Sequence, residues 1–238
     1  MKKTLSIIIP VFNEERTIKE ILIRVANVKL PNNIAKEVIV VDDCSKDKTS
    51  QILLGVKSIK FKYIKHDKNL GKGAAVRTGF LEARGDYIII QDTDLEYDPN
   101  DYVKLLSPII KNKSKIVFGT RLKNYPLRFW GEKKTLLPLH LIANKFLTGL
   151  VNLLFGANLT DMETGYKLFN KNILDRIQLK SDRFEIEPEI TAKILKLGYD
   201  IVEVPIEVLP RSYKEGKKIG FMDFLKAIWA IFWYRFFD

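Results

Sequence analysis

Three short runs of almost unbroken Ile and Val are the clearest feature of the hydrophobic pattern. They span Leu5–Ile9, Glu37–Val41 and Tyr87–Ile90. Strands covered on both faces of a parallel sheet have continuous apolar sequences, whereas half-exposed strands alternate. The three runs therefore predict the core of a buried, mainly parallel sheet.

The segments between these runs have the periodicity of amphipathic helices. Residues 14–28 carry Ile18, Ile21, Leu22 and Val25 at the i, i+3, i+4, i+7 spacing, which turns one face of a helix inward. The first hundred residues therefore predict a doubly wound α/β unit. The same patterns predict helices near 48–54, 73–83, 102–110 and 186–197, and strands near 61–64, 115–118 and 201–208.

Two apolar stretches follow a basic loop that we predict for residues 121–134. The first, 136–159, is rich in Leu and Phe, but Pro, Asn, Lys and Gly interrupt it, which favours helices lying on protein or membrane over an unbroken span. The second, 221–237, carries Asp223 and Lys226 among its aromatic residues. Flanking lysines favour the headgroup zone of a membrane, and packing on the core or in an oligomer is the alternative.

Composition and charge narrow the class of protein. The 238 residues are 46% hydrophobic and 29% charged, as in one ordered domain. A net charge of +11 favours partners that carry phosphate without choosing among them. Cys44 is the single cysteine, so an intrachain disulfide is excluded and a reducing, cytoplasmic setting is expected. The first apolar run is too short for a signal peptide, and we take it as a strand.

Two aspartates, Asp92 and Asp94, come directly after the third apolar run. Open α/β sheets bind ligands at the carboxyl ends of their strands, and carboxylates two residues apart can face one hard cation. Glu96 and Asp98 add oxygens nearby. A solvated acidic turn is the alternative for an isolated triplet of this kind. Together the carboxylates predict a cation that neutralises a departing diphosphate.

A second acidic turn, Asp42 and Asp43, ends the second core strand, where carboxylates can accept hydrogen bonds from a base or a ribose. Ser45 or Asp47 would cap the next helix. Residues 69–77 open a later helix with two glycines and two basic side chains, which allow close approach of a charged ligand. Neither a P-loop nor G-x-G-x-x-G is present, so ATPase and dinucleotide-binding functions lose their main support.

Four segments in a fixed order carry a resemblance to a known family. They are Pro10-Val11-Phe12-Asn13-Glu14, Val40–Asp47, Asn69–Gly73 and Gln91–Glu96, and Gly119–Arg121, Thr164–Lys167 and Arg211–Lys218 extend the likeness. Together they resemble family 2 glycosyltransferases of the GT-A fold, and within that family the dolichyl- or polyprenyl-phosphate hexose synthases.

This resemblance implies a domain organisation. Residues 1–212 would form a three-layer α/β/α GT-A catalytic domain with a mainly parallel mixed sheet, in which 121–160 form an acceptor loop and amphipathic helices. Residues 213–238 would form a basic, amphipathic helical segment at a membrane interface.

Roles for particular side chains are expected from the same resemblance. Asp92, Asp94 and Glu96 would hold Mg²⁺ or Mn²⁺ with the diphosphate, and Glu96 stands where the lipid-phosphate members usually have Gln. Arg121 and Arg128 would meet the acceptor phosphate. The residues expected to bind the donor nucleotide are Pro10, Phe12, Asn13, Glu14, Asp42, Asp43, Gly71, Lys72, Arg211 and Lys217.

The expected reaction is an inverting, metal-dependent transfer of a hexose from a GDP- or UDP-sugar to a polyprenyl phosphate, at the cytoplasmic face of a membrane. The catalytic residues expected are Asp92, Asp94, Arg121 and Asp161. A phosphate acceptor is already ionised near neutral pH and needs no strong base. A hydroxyl acceptor would need one, and Asp161 is the candidate, unless it orients a basic side chain or caps a turn.

Three other functions are alternatives to this one. The first is a transferase that acts on a soluble saccharide. A nucleic-acid-binding module would use the positive charge, but acidic turns at the sheet edge would repel a phosphate backbone. A catalytically dead scaffold is disfavoured because both aspartates of the predicted metal site are intact. His66 and His140 lack metal-ligand spacing and are expected at the surface or in satisfied core positions.

Overall fold

The computed structural model describes residues 2–122, 138–209 and 220–238. Within them one seven-stranded sheet is flanked by helices. The strands are β1 Thr4–Val11, β2 Ala35–Asp42, β3 Lys62–Lys65, β4 Tyr87–Ile90, β5 Ile116–Thr120, β6 Lys167–Asn170 and β7 Val202–Pro205. The helices are α1 Ile18–Asn27, α2 Thr49–Gly55, α3 Lys72–Glu82, α4 Tyr102–Ile110, α5 Pro138–Phe155, α6 Lys171–Leu174, α7 Ile186–Lys196 and α8 Phe221–Phe236, with short 3₁₀ turns at Pro31–Asn33 and Pro99–Asp101.

The strand order across the sheet is β3-β2-β1-β4-β6-β5-β7. β1 pairs in parallel with both β2 and β4, so the three Ile- and Val-rich runs lie side by side at the centre. β6 runs antiparallel to its neighbours β4 and β5, whereas β5 and β7 are parallel. The prediction of a mixed but mainly parallel sheet is confirmed.

Both faces of the sheet are covered because alternate side chains of each strand point to opposite layers. Ile7 and Ile9 of β1 pack with the buried faces of α1 and α4, and Ile8 packs with α3 and α7. The close approach of α3 to β1 depends on Gly79, since a Cβ there would lie 2.2 Å from Ile8 Cγ2. These contacts form the three predicted layers.

A further pair of helices lies beside α7. Leu147 and Val151 of α5 pack with Ala227 and Ile231 of α8, and α8 also packs on α7. The described part of the predicted C-terminal segment is therefore a helix docked on the α/β layers. The boundary predicted at residues 212 and 213 lies outside the described residues and stays a prediction.

The apolar stretch 136–159 was expected to form helices too interrupted for an unbroken span. Pro138–Phe155 forms one continuous helix of 18 residues, because single polar residues and glycine weaken a helix without ending it. Asn152, near its end, exchanges two hydrogen bonds with the backbone of Leu159 and so ties the following loop to the helix. By length and composition alone, this is the one helix among the described residues that could cross a membrane, and 22% of it is buried against the protein.

Strand β6 is missing from the sequence prediction. Its four residues, Lys167–Asn170, include only two apolar side chains, too few to establish a period of two. Lys167 is nevertheless fully buried, since Glu187 of α7 neutralises it. Glu187 is 20 residues away in the sequence, so the local sequence pattern around Lys167 does not reveal the strand.

Candidate functional site

A cleft of about 450 Å³ opens at the carboxyl ends of β1, β2, β4 and β5. Parallel strands end at one edge of a sheet, so segments that are distant in sequence meet there. Ten of the residues predicted for the site line this cleft. They are Pro10, Phe12, Glu14, Asp43, Gly71, Lys72, Asp92, Asp94, Glu96 and Arg121.

Asp43, at the end of β2, holds the segment that opens α3. Its carboxylate accepts hydrogen bonds from the backbone N–H groups of Leu70, at 2.8 Å, and Gly71, at 2.7 Å. His66 Nδ1 lies 2.8 Å from Asp43 Oδ1, and its Nε2 lies 3.0 Å from Thr78 Oγ1. Both ring nitrogens of His66 are therefore engaged, as expected for a satisfied core histidine. Asp43 fixes the loop that borders the cleft.

Asp42 points away from the cleft, because consecutive residues of a strand face opposite sides. It is fully buried and accepts hydrogen bonds from Ser45 N at 2.8 Å, Ser50 Oγ at 2.5 Å and Tyr63 OH at 3.0 Å. Burial alone would raise the pKa of Asp42, but these hydrogen bonds outweigh burial and hold the pKa below its ordinary value. Of the two aspartates predicted to contact the nucleoside, Asp43 faces the cleft.

Asn13 also lies outside the cleft lining. Its backbone has a φ of 53°, in the left-handed region that Asn tolerates. Its N–H donates to Ser45 Oγ at 2.9 Å, and its Oδ1 accepts from Lys46 N at 2.8 Å. The exposed Asn13 side chain thus joins the turn after β1 to the turn after β2, while Phe12 and Glu14 on either side line the cleft.

The start of α3 brings a cation into the cleft. Gly71 has a φ of +105°, and a Cβ there would lie 2.4 Å from the carbonyl oxygen of Asp182, so only glycine fits. Lys72 Nζ lies 2.8 Å from Asp92 Oδ1 and 3.1 Å from Glu187 Oε1. Burial would lower the pKa of Lys72, but the two carboxylates outweigh it and raise the pKa. Lys72 therefore carries a positive charge beside Asp92.

Asp92 and Asp94 follow β4 and line the cleft, as does Glu96. Asp94 Oδ1 accepts a hydrogen bond from Glu96 N at 3.1 Å. Gly165 leaves room for Asp92, since a Cβ there would lie 2.4 Å from Asp92 Oδ2. Asp98 instead caps the following 3₁₀ turn through Asn100 N.

The three predicted metal ligands do not form a ready-made cage. Within residues 2–122, 138–209 and 220–238, no group of three or more His, Cys, Asp and Glu side chains converges on a possible ion. The donor chemistry nevertheless fits Mg²⁺ or Mn²⁺, because carboxylate oxygens face a cleft and such ions commonly take the remaining oxygens from substrate phosphates. The Lys72 ammonium beside Asp92 shows that this position favours a cation.

Arg121, at the end of β5, is held by Asp161. Its Nε and Nη2 lie 2.7 Å and 2.8 Å from the two carboxylate oxygens, and its backbone N–H donates to the same group at 3.0 Å. Burial would lower the pKa of Arg121, but Asp161 outweighs burial and raises it. Asp161 is fully buried and does not line the cleft. Both of its oxygens are engaged, which is the arrangement of an orienting group.

Four charged residues of the cleft were not among the sequence predictions. They are Glu163, Arg183, Glu187 and Asp223. Glu187 lies in the first turn of α7 and Asp223 in the first turn of α8. Acidic residues are common there because they interact favourably with the helix dipole, so they do not by themselves indicate a site. Glu163 adjoins the Thr164–Lys167 segment, and that proximity was the one signal that could have found it.

Glu163 and Glu187 form an acidic wall of the cleft, and their pKa values are shifted in opposite directions. Burial would raise the pKa of Glu187, but Lys167 and Lys72 outweigh it and hold the pKa low. Burial raises the pKa of Glu163 to about 7. Perturbed carboxyl groups in a cleft are candidates for ligand binding or proton transfer.

Three predicted residues, Arg128, Arg211 and Lys217, lie outside the described residues. Their assignment to the acceptor phosphate and the donor therefore stays a prediction.

The mixed sheet, with its ligand cleft at the carboxyl edge and an aspartate pair after β4, defines a GT-A type glycosyltransferase fold. The chain belongs to glycosyl transferase family 2, whose model matches residues 6–178. It is accordingly a glycosyltransferase, and the predicted family and fold are confirmed.

Two similar proteins have names that describe their activity. A UDP-N-acetylglucosamine--dolichyl-phosphate N-acetylglucosaminyltransferase of Methanococcus voltae is 32% identical over 95% of this chain and 95% of its own length. A dolichol-phosphate mannosyltransferase of Pyrococcus furiosus is 30% identical over 95% of this chain and 63% of its own length. The likeness covers nearly the whole chain described above.

Among solved structures, glucosyl-3-phosphoglycerate synthase of Mycobacterium tuberculosis, in complex with Mn²⁺, UDP and phosphoglyceric acid, is similar with a TM-score of 0.72. The match covers 99% of this chain and 80% of that one, at 17% sequence identity. At this identity the likeness supports the fold alone.

Proposed function

We propose that this chain transfers a hexose from a nucleotide sugar to a polyprenyl phosphate, with a divalent metal and with inversion at the sugar carbon. The observation that carries the proposal is the continuity of the cleft. Asp92 lies within it, Arg121 lines it at the β5 end, and Asp223 of α8 brings it to an exposed apolar surface. A water-soluble donor and a lipid acceptor would meet in such a cleft.

The donor nucleotide is proposed to bind at the β1 and β2 ends. Phe12 offers a ring, and Pro10, Glu14 and Asp43 line the same part of the cleft. The turn after β2 is rigid because Asp42 and Asn13 fix it. We assign Asp42 and Asn13 to support of this turn and Asp43 to its cleft-facing side.

The diphosphate is proposed to lie at Asp92 and Asp94, with Mg²⁺ or Mn²⁺ between them. Such an ion would supply charge neutralisation for the diphosphate as it leaves. Lys72 lies against Asp92 and adds a second, permanent positive charge. Glu96 lines the cleft next to Asp94 and is proposed as a further oxygen ligand.

The acceptor phosphate is proposed to bind Arg121. Asp161 fixes the guanidinium of Arg121 through a bidentate contact, leaving its remaining N–H groups for a phosphate. A phosphate oxygen attacks the anomeric carbon in line, the bond to the diphosphate breaks, and the electron pair leaves with the diphosphate. The attacking oxygen is ionised near neutral pH, so Asp161 is not required as a base.

The names of the two relatives support a lipid-phosphate acceptor, since both specify dolichyl or dolichol phosphate. Their donors carry different sugars, so they leave the hexose open. The soluble-saccharide alternative would leave the apolar surface beside the cleft without a partner.

That surface, which we call the apolar face, consists of exposed side chains on α5 and α8. They are Leu139, Ile142, Phe146 and Leu153 of α5, and Phe221, Met222, Leu225, Trp229, Phe232, Trp233 and Phe236 of α8. Exposed patches of this kind mark membrane or protein contacts. We propose that the apolar face lies in the headgroup zone, on the cytoplasmic side that the single cysteine favours.

A transfer assay tests this function. Purified protein is incubated with UDP-glucose, UDP-N-acetylglucosamine or GDP-mannose, with Mn²⁺ or Mg²⁺, and with polyprenyl phosphate or soluble sugars. We expect a lipid-linked product with one of these donors and no product after chelation. Asp92→Asn and Asp94→Asn should each lower turnover by about 100-fold or more, because metal neutralisation supplies several kcal/mol.

Asp98→Asn is the matched control in the same acidic segment. Asp98 caps the 3₁₀ turn at Pro99–Asp101, and Asn caps equally well, so activity should stay near that of the unchanged protein. Product on soluble sugars but not on polyprenyl phosphate would contradict the proposed acceptor. Full activity of Asp92→Asn under chelation would contradict the proposed metal.

A further inference from the structure

One buried acceptor oxygen in the cleft wall, Oε1 of Glu163, has no hydrogen-bond donor among the described residues. Oε1 of Glu187, which is also buried, lies 3.1 Å from the Lys72 ammonium. Both residues line the cleft, and Glu187 is only 3% exposed. Buried acceptors are normally satisfied, because an unmade hydrogen bond costs free energy. The unsatisfied oxygen of Glu163 therefore suits a ligand that donates a hydrogen bond.

Sheet topology fixes where Glu163 lies. β6 lies between β4 and β5 and runs antiparallel to both, so the start of β6 meets the carboxyl ends of its neighbours. Glu163 precedes β6 by four residues. It therefore lies between Asp92, which follows β4, and Arg121, which follows β5. In the proposed reaction, this interval holds the group that is transferred.

Charge narrows the chemistry of the ligand at this wall. The Glu187 carboxylate repels phosphate oxygens, as does the ionised form of Glu163, so this wall suits neither the diphosphate nor the acceptor phosphate. Lys72 separates Glu187 from Asp92, with Nζ 2.8 Å from Asp92 Oδ1 and 3.1 Å from Glu187 Oε1. Neutral O–H and N–H groups, which a hexose or an N-acetylhexosamine carries, donate to carboxylates without repulsion.

We infer that Glu163, together with Glu187, binds the hydroxyl or amide groups of the sugar in the nucleotide-sugar donor. This assignment rests on the proposed function and adds the sugar subsite to it. The Glu163 carboxyl group determines how the sugar is oriented, because hydrogen bonds are directional. Lys167 supports the pair from behind, since it is fully buried and bonded to Glu187 and to Thr164 O at 2.6 Å.

The test compares sugar nucleotides with bare nucleotides. Isothermal titration in Mn²⁺ measures the dissociation constants of UDP, GDP, UDP-glucose, UDP-N-acetylglucosamine and GDP-mannose for the full chain. We expect Glu163→Ala to raise the dissociation constant of the sugar nucleotide by about tenfold or more. The dissociation constant of the corresponding nucleoside diphosphate should stay the same. Glu163→Gln, which keeps one acceptor oxygen, should give a smaller loss.

Glu185→Gln is the matched control. Glu185 lies two residues before Glu187, outside the cleft lining, and is 3.8 Å from Lys226. Glu185→Gln should not change the ratio of the dissociation constants of the sugar nucleotide and the bare nucleotide. Retained binding of the bare nucleotide shows that a variant is folded, and Glu163→Gln carries the comparison if Glu163→Ala does not fold.

Equal weakening of both ligands would overturn the assignment, because it would indicate an effect on the diphosphate. No weakening of the sugar nucleotide would overturn it as well. Both of these results leave the proposed transferase function intact. An unchanged protein that binds none of the five nucleotides would overturn the proposed function together with the subsite.

Discussion

The Glu163 carboxyl group lines the cleft and has a pKa above its ordinary value. Burial raises its pKa from an ordinary 4.5 to about 7, with Lys167, Glu187, Arg121 and Asp161 as the charged groups that face it. The unfolded chain therefore loses this proton at a lower pH than the folded chain does. Folding stability attributable to Glu163 falls as pH rises from about 4.5 to 7.

Glu163→Gln should remove this loss. We expect the variant to gain stability relative to the unchanged protein as pH rises from 5 to 8, by roughly 3 kcal/mol at most. Thermal melts across this range measure the gain. Glu187→Gln is the control: the pKa of Glu187 is lowered from 4.5, so its stabilisation is fully present above that pH and the variant should be less stable by a constant amount from pH 5 to 8. A Glu163→Gln difference that stays constant with pH would contradict the prediction.

Asp161 and Arg121 form a second test at the level of single side chains. If Asp161 acts only by holding Arg121, the two substitutions must not be additive. We expect Arg121→Ala and the double variant Arg121→Ala/Asp161→Asn to show the same loss of transfer activity. Losses that multiply in the double variant would indicate an independent role for Asp161, such as the base considered from sequence.

Sequence reasoning found the residues of the cleft whose signal is local. Asp92 and Asp94 were found because they directly follow a recognisable strand, and Lys72 because it follows a glycine at a helix start. Glu163 and Glu187 were missed because their position depends on β6 and on burial of Lys167. Such a buried pair joins elements that no local period connects.

The start of α3 shows how one element positions the cleft. The backbone of residues 181–183 lies directly against it, and Ala74 N donates to Asp182 O at 3.0 Å. Arg77 reinforces this contact through the carbonyl oxygens of Leu179 and Lys180. The loop before α7 therefore sets the position of Gly71 and of Lys72, which contacts Asp92.

Gly71→Ala should disturb this contact. Its Cβ would meet Asp182 O at 2.4 Å, and its φ of +105° is strained for alanine. Gly156→Ala is the matched control, with a φ of +66° and no atom within 4 Å of its Cβ. We expect both to lose about 1 kcal/mol from the backbone, and Gly71→Ala to lose more and to weaken nucleotide binding. If urea unfolding gave the same loss of unfolding free energy for both variants, a role for the contact between Gly71 and Asp182 would be contradicted.

At the level of elements, the period of hydrophobic residues predicted most of the sheet and its flanking helices. Helical structure is predicted for residues 136–159, but the polar residues and glycine in this stretch hide the fact that Pro138–Phe155 forms one continuous helix. Packing against α8 stabilises this helix despite them. Tertiary burial thus outweighs the local propensities on which the expectation depended.

For the whole molecule, the apolar face predicts binding to a bilayer. Trp229 is 64% exposed and Trp233 is 41% exposed, with ring centroids 5.8 Å apart. Replacing both with Ser should reduce flotation with anionic vesicles at low salt, with little change in melting temperature because both rings already contact solvent. Leu81→Ser, on exposed α3 surface, is the control. Unchanged flotation of the double variant would contradict this placement.

The proposed function depends on a divalent ion that the carboxylates after β4 hold against the diphosphate of the donor. The most direct measurement is the anomalous scattering of Mn²⁺ in crystals grown with UDP or GDP. We expect one strong peak within coordination distance, about 2.2 Å, of Asp92 or Asp94 oxygens and of the diphosphate. A nucleotide bound in the cleft with no manganese at either aspartate would contradict it.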